Sequence, residues 1–416
     1  MPQQVCYESK QSGPSRRAEV SLKVERQLQT PGGSSSGPLT VTLVRNIEAL
    51  QAIQAQWDRL VTTSPFLQPL WLANWWELAR PSGELFVLTV RNADDELCGL
   101  LPLYRQRDLY SGVTLRSMGD TGACTDYFSL ITATSNPTEV ASALANFLAD
   151  QATDFEFGWD RMILDGVAGN DGAIAALSRE LEARGASTHA CSRMNLWRLP
   201  TAGTVDQWFS GFSRSSRTDL RRRARIVASS NQIVRRQPNT QMEVYRDTQT
   251  VIDLHQQRWQ ASGQPGSFAA PQSREFIQRA NAAAFAQGQL HLRILEWEGQ
   301  PASGEIGYIG RDQVLYLYCV GRAPALEAKS VGALGNLATQ LEAFNSDLQG
   351  VDYLRGDETY KTRCHAKPTP CLSVRIAAPT WQSRLRHAAW LTQFEMCQLI
   401  RRGVGRCPWH RQSLCQ

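Results

Sequence analysis

A chain of 416 residues, 42% of them hydrophobic, is too long for one ordinary core and apolar enough to build about two or three. The formal net charge of +5 is too modest to demand nucleic acid, yet it tolerates anionic ligands. No apolar run has transmembrane length and the first residues lack the apolar core of a secretory signal, so the protein is expected in the cytoplasm, at most peripheral to an inner membrane face.

Residues 1–38 are polar and end in PGGSSSGP, the composition of a disordered tail. Then LTVTLV (39–44) reads as a strand, and 46–62 and 66–80 as helices. ELFVLTV (84–90) and LCGLLPLYRQ (97–106) flank a polar turn and read as a hairpin, with VTLRSMG (113–119) as a further strand. A helix over 137–151, a strand over 159–167, a helix over 172–184 and a closing strand ending at Pro200 complete this stretch.

The order then recurs. QMEVYRD (241–247) reads as a strand, with helices over 248–262 and 271–287. A hairpin turns at Glu298-Gly299-Gln300, a strand covers 313–321, a helix 330–346, a strand GVDYLRG, and a late strand 370–378. The repeated order predicts a layered α/β (α+β) protein of two tandem units, each a mixed sheet flanked by helices. The expected divisions are 39–200, an Arg-rich helical connector over 201–236, a second unit over 237–379, and a C-terminal helix with a basic tail over 380–416. In the connector, Thr204 and Gln207 fit a capping box, and Arg214, Arg217, Arg221 and Arg225 recur at helical spacing.

Ten cysteines are scattered with no C-x-x-C pair, and six histidines are equally dispersed, so no metal is expected. Chemistry concentrates near the end of the second unit. Ser330 stands at a helix start as an N-cap with Gly332 in the first turn, an arrangement able to hold a phosphate. One strand later, VDYLRGDETYK crowds Arg355, Asp357, Glu358, Tyr360 and Lys361 around Gly356, at the carboxyl end of a strand where ligands of open α/β sheets bind. A carboxylate there fits a general base, Tyr360 a proton donor and Lys361 an anion holder. The same charges also fit a purely structural ion-pair cluster.

These residues resemble the D-F/Y-L-R-G-D-E-x-Y-K signature of the CelD/BcsL-type acetyltransferase family, within the GNAT superfamily. FLQPLWLANWW, GLLPLY, VIDLHQQRWQASGQPGSF and KSVGALG are similar to further segments of that family, and the likeness spans roughly residues 40–378. The resemblance implies two tandem GNAT-like domains akin to the FemAB-type transferases. It implies acyl transfer from acetyl-CoA or another acyl-CoA to an amine of a sugar, peptide or cell-envelope precursor, in the setting of exopolysaccharide production beside a membrane-bound synthesis complex. One departure is visible: EAKSVGALG lacks the Q/R-x-x-G-x-G/A pyrophosphate loop of ordinary GNAT enzymes.

On this reading the donor's phosphates lie near Lys329, Ser330, Val331 and Gly332. Glu358 is the favoured base, with Asp357 holding the turn, and Tyr360 or Tyr318 protonates the leaving thiolate. Arg258, Trp259, Tyr318, Arg355 and Lys361 are expected on the substrate side. Two other classes remain open: an aminoacyl transferase using aminoacyl-tRNA, with the arginine stripe on RNA phosphates, and a non-catalytic regulator or scaffold of cellulose or exopolysaccharide synthesis. The C-terminal helix either packs on the second unit or lies on an anionic membrane surface.

Overall fold

The computed structural model describes residues 37–79, 81–108, 112–133 and 137–403. Most of the expected tail, 1–36, and the end of the basic tail, 404–416, lie outside the described residues.

The first half runs β1 (Thr40–Val44), α1 (Ile47–Leu60), a 3₁₀ turn (Pro65–Leu67), α2 (Pro69–Ala79), β2 (Glu84–Arg91), β3 (Leu97–Asp108), β4 (Gly112–Ser117), the short β5 (Ile131–Thr132), α3 (Pro137–Asp150), β6 (Arg161–Ala168), α4 (Gly172–Ala183) and β7 (Ser187–Pro200). The connector folds as α5 (Val205–Ser210) and α6 (Arg214–Ser229), and α5 starts on the expected Thr204/Gln207 capping box. The second half runs β8 (Ile233–Arg236), α7 (Gln241–Ala261), α8 (Pro271–Ala286), β9 (Leu290–Trp297), β10 (Gln300–Ile309), β11 (Val314–Arg322), α9 (Val331–Phe344), β12 (Gly350–Arg355), α10 (Thr359–Arg363) and β13 (Lys367–Ala377), before α11 (Trp381–Gly403).

The fold is mixed α/β with two halves of like order. One expectation is corrected: the halves do not own separate sheets. A single sheet runs β1-β2-β3-β4-β6-β13-β7-β12-β11-β10-β9-β8, with β5 on β3. The closing strands are exchanged. β7 ends the first half yet pairs with β12, and β13 ends the second half yet pairs with β6. The two pair with each other from Lys367↔Arg198 to Ala377↔Ser187. All neighbours are antiparallel except β4 with β6 and β11 with β12.

A second correction concerns 241–247, which is the first turns of α7 and not a strand. The Thr240 side chain accepts from the Glu243 amide and caps the helix. Val244, Thr248, Val251 and Ile252 then carry one buried face at helical spacing, leaving Met242 and Tyr245 exposed. The first strand of the second half is β8, on the edge beside β9.

The halves meet at an aromatic cluster. Phe66 and Trp71 of the first half pack edge-on against Tyr308, Tyr316 and Tyr318 of the second. On the second half, Leu315, Leu317, Val351 and Tyr353 pack under Leu337 of α9 and against Trp208 and Phe209 of α5. Among the described residues no helix is long and apolar enough to cross a membrane.

Candidate functional site

Strands β11 and β12 pair over only three residues each, Val314–Tyr316 against Gly350–Asp352, and then part. Each carries a distortion at the parting point. In β11, Ile306 faces Cys319 and Gly307 faces Leu317, so Tyr318 is the extra residue of a bulge. In β12 the register against β7 slips between Asp352 and Arg355, and Leu354 takes a left-handed φ of 56° with its amide on Asp352 Oδ1 at 2.8 Å. A leucine at that φ is strained and is held there by the surrounding packing.

The gap opens into a cleft of about 580 Å³. Leu317, Val320 and Arg322 of β11 form one wall, Tyr353, Tyr360 and Arg363 the other, and Gly332 and Asn336 of α9 close one end. The connector is part of the site, because Trp208, Phe212 and Arg223 cover it. Beyond Tyr316, β11 has no β12 neighbour, so alternate amides on that edge face the cleft.

The cleft is basic. Arg223, Arg258, Arg322 and Arg363 line it against Asp219 as its acid. Arg322 pairs with Glu327 at 3.1 Å and Arg223 with Asp219 at 2.7 Å. No ion pair is seen for Arg258 or Arg363 among the described residues. Arg258 lies over the Trp259 ring, 5.8 Å from its centroid. Of the cleft-lining residues the sequence reading singled out Arg258, Gly332 and Tyr360 and passed over the others, which come from separated segments and carry no shared local pattern.

The α9 start differs from expectation. Ser330 stands at the N-cap position but adopts a left-handed φ of 55° and makes no side-chain cap. Val331 is buried, and Lys329 lies over the Trp297 ring at 5.5 Å. Gly332 alone of the four lines the cleft. A Cβ placed on it would first meet Arg322 Cδ at 3.4 Å, so a larger side chain would enter free space. The Ala333 amide donates to the Ser330 carbonyl at 2.9 Å, so among the described residues the Val331 and Gly332 amides are the leading donors left without a backbone acceptor at this end of the cleft.

The charged motif is mostly structural. Arg355 turns into the first half, bonding Asp126, Asp165 at 2.9 Å and the Thr125 carbonyl at 2.8 Å. Lys361 is 2% exposed, and its Nζ donates to the carbonyls of Leu354, Arg355 and Gly356 at 3.3, 2.9 and 3.1 Å. Neither cation is free for substrate. Asp357, expected to hold the turn through an ion pair with Arg355 or Lys361, instead accepts from the Asn195 side-chain amide at 2.9 Å and the Trp197 indole at 3.1 Å of β7. The acid clamped by a cation is Glu358, 2.8 Å from Lys361 Nζ, so the freer carboxylate sought in it is not there. Tyr360 does line the cleft, and burial, reinforced by Glu358, raises its phenol well above the ordinary value.

Tyr318 and Trp259 lie outside the cleft lining. The Tyr318 hydroxyl donates to the Ala123 carbonyl at 3.1 Å within the aromatic seam. The Trp259 indole donates to His255 Nε2 at 2.8 Å. Among the described residues no group of three His, Cys, Asp or Glu side chains is placed to hold a metal.

The first half repeats the parting of strands. There β4 and β6 pair over Thr114–Arg116 and Arg161–Ile163 and then separate. That gap is filled by the Thr125–Asp126 loop and the Arg355 guanidinium. A Cβ on Gly166 would sit 2.3 Å from the Thr125 carbonyl oxygen and 2.6 Å from Arg355 Nη2.

With this geometry in place, residues 214–362 match the family described as acetyltransferase (GNAT) domain. Over that segment the chain is similar to a GNAT-type acetyltransferase domain. The match begins at α6 and ends within α10, so it takes in most of the second-half cleft but leaves out Trp208 and Phe212 of its cover and Arg363 of its wall. Among solved structures the chain is similar to FemX, with a TM-score of 0.55 at 11% identity, over 78% of this chain and 95% of that one. It is also similar to a tandem GNAT protein from the clavulanic acid biosynthesis pathway (TM-score 0.44, 12% identity, 82% of this chain and 99% of that one). A third is L-PGS from Bacillus licheniformis (TM-score 0.44, 12% identity, 80% and 92%). A comparison with curated proteins gives no match.

Proposed function

We propose that this protein is an N-acyltransferase that takes its acyl group from an acyl-CoA thioester, acetyl-CoA being the first to test, seated between β11 and β12. The acceptor is an amine of a sugar, peptide or cell-envelope precursor. The observation that carries the reading is the basic cleft opened by the early parting of β11 and β12 within the acetyltransferase domain.

The residues fit such a donor. Arg322, Arg258 and Arg363 present guanidiniums suited to phosphates, beside the leading α9 amides. Trp208, Phe212 and Leu317 give an apolar lining for an uncharged arm. Coenzyme A would supply the activated thioester. The β11 amides facing the gap are placed to donate to an oxygen that gains charge there. Tyr360 keeps its proton at neutral pH and is the group to deliver it to a leaving sulfur. Asp357 and Glu358 are engaged elsewhere, so the acceptor sheds its proton to solvent at the open mouth.

Calorimetric titration of coenzyme A and acetyl-CoA against the wild type and Gly332→Trp tests the placement. Binding by the wild type and its loss in the variant are expected. Equal affinities, or no binding by a folded wild type, would sink the reading.

A further inference from the structure

Helices α7 and α9 lie on opposite faces of the sheet. In β10 a Cβ on Gly304 would sit 2.7 Å from Val251 Cγ2 of α7. Its neighbours Ser303 and Glu305 face α9 instead, 2.8 and 3.4 Å from where a Cβ on Gly335 would stand. In β11 a Cβ on Gly321 would meet the Val251 carbonyl oxygen at 2.7 Å, so Arg322 falls on the α9 side, beside Gly332. Yet one cleft is lined by Arg258 of α7 and by Arg322, Gly332 and Asn336 from the other side. It therefore passes through the gap between the parted strands and reaches both faces.

Arg258 is held ready on its face. Its guanidinium lies over the Trp259 ring, and the Trp259 indole is fixed by its bond to His255 Nε2 at 2.8 Å. His255 packs edge-on against Phe268 at 5.0 Å. The turn after α7 is tied back onto the helix by Gln256. Its Nε2 donates to the Pro265 carbonyl at 2.8 Å, and its Oε1 accepts from the Phe268 amide at 3.1 Å. Gly266 has a φ of 74°, and a Cβ there would sit 2.3 Å from Gln256 Oε1. The segment HQQRWQASGQPGSF thus uses its His, Gln, Gly and Phe to fix an arginine backed by a tryptophan.

Among the described residues no carboxylate pairs with this arginine, and Glu358 is held by Lys361 at 2.8 Å. Burial raises the Tyr360 phenol and the Arg258 charge opposes that rise, so the guanidinium stands near the cleft's proton donor. A donor with its phosphates at Arg322 and the Val331 and Gly332 amides lies on the α9 side and leaves Arg258 uncompensated on the other. A fixed guanidinium without a counter-charge at the edge of a cleft is suited to an anion.

We propose that the acceptor is an amine that also carries an anionic group, a carboxylate or a phosphate, and that Arg258 holds this group on the α7 face of the sheet. This rests on the acyl-CoA reading above and narrows it: Arg322 serves the donor and Arg258 the acceptor. The anion sets where the amine stops, beside Tyr360 and the free β11 amides. A neutral amine would leave the guanidinium unpaired and would lack that stop.

The test is calorimetric titration of the full chain, with and without saturating coenzyme A, using two matched pairs. These are glucosamine 6-phosphate against glucosamine, and alanylalanine against alanylalaninamide. The anionic member of at least one pair should bind about tenfold tighter than its neutral partner, and the pair that shows this names phosphate or carboxylate. Arg258→Gln should abolish the preference and Arg258→Lys should keep part of it, with circular dichroism and thermal unfolding as in the wild type. Arg322→Gln should instead weaken coenzyme A about tenfold and keep the preference. No anionic preference in either pair, or a preference that survives Arg258→Gln, would overturn the proposal. So would coenzyme A losing as much affinity with Arg258→Gln as with Arg322→Gln, since Arg258 would then belong to the donor. A wild type that shows the Arg258-dependent preference but binds no coenzyme A would sink the acyl-CoA reading alone and leave the anion site standing.

Discussion

Lys361 shows how little of a site's meaning a local motif contains. Its ammonium is buried and closes three carbonyls at the end of β12 together with Glu358. Lys361→Met should therefore leave buried carbonyls unpaired and lower stability by roughly 3 kcal/mol, read by urea unfolding. Glu358 is half-exposed, so Glu358→Gln should cost no more than about 1 kcal/mol and leave turnover near wild type. Tyr360→Phe should instead reduce turnover by about 10²-fold or more with little change in stability, because it removes the proton carried into the cleft. If Glu358→Gln loses turnover and Tyr360→Phe does not, the roles are reversed. The four charges were legible in the sequence, but their partners were not. Arg355 bonds residues 229 and 190 positions earlier, and no local rule reaches that far. His255 gives a pH signature at the same scale. Burial lowers its folded pKa to about 4 from an ordinary 6.5, so the unfolded chain binds the extra proton first. Its share of stability is complete above pH 6.5 and falls away as pH drops towards 4, by about 3 kcal/mol at most. Unfolding free energies at pH 7 and pH 4.5 should show this slope in the wild type and less of it in His255→Asn.

At the scale of elements, long amphipathic segments were legible and short or strained ones were not. α8, α9, β9, β10 and β11 fall where periodicity put them. The stretch 241–247 alternates like a strand, yet the cap at Thr240 and the burial of Val244 and Thr248 continue α7 backward. β8 and α10 are four and five residues long, too short for periodicity to register. The α9 start was misread for a different reason. Serine before a helical run is the usual cap signature, but here a 3₁₀ turn over Pro324–Lys329 delivers the chain to Ser330 in the left-handed region. This gives an opposite-sign test. A true cap would lose a few tenths of a kcal/mol on Ser330→Gly. A strained left-handed serine should gain up to about 1 kcal/mol, because glycine occupies that region without a Cβ clash. Thermal unfolding decides: a rise in Tm supports the strained start, and a fall restores the cap.

At the scale of the molecule, the duplicated order was legible but the exchange of β7 and β13 was not. Sequence order cannot tell which sheet a closing strand joins, because both strands alternate and both follow a helix or turn. The exchange has two consequences. First, it ties the second half's Arg355 into the first half's gap, so of the two strand gaps, among the described residues, the second half's is the one left open, and one equivalent of coenzyme A per chain is expected by calorimetry. Two equivalents would mean that the first-half loop yields to ligand. Second, neither half is a complete sheet alone. Residues 39–200 without β13 would leave β6 and β7 with bare edges at the centre of the sheet, and their paired backbone groups would be lost together. The aromatic seam adds to this, since Phe66 and Trp71 would lose Tyr308, Tyr316 and Tyr318. The full chain should thus unfold in one cooperative transition, with intrinsic tryptophan fluorescence and far-UV circular dichroism coinciding along a urea titration. The fragment 39–200 should aggregate or lack a cooperative transition. Trp71→Ala, at the seam, should shift the single midpoint by about 3–5 kcal/mol and not split it. A fragment that folds alone with a sharp transition, or two separate transitions in the whole chain, would show that the exchanged strands join halves that are already stable without each other.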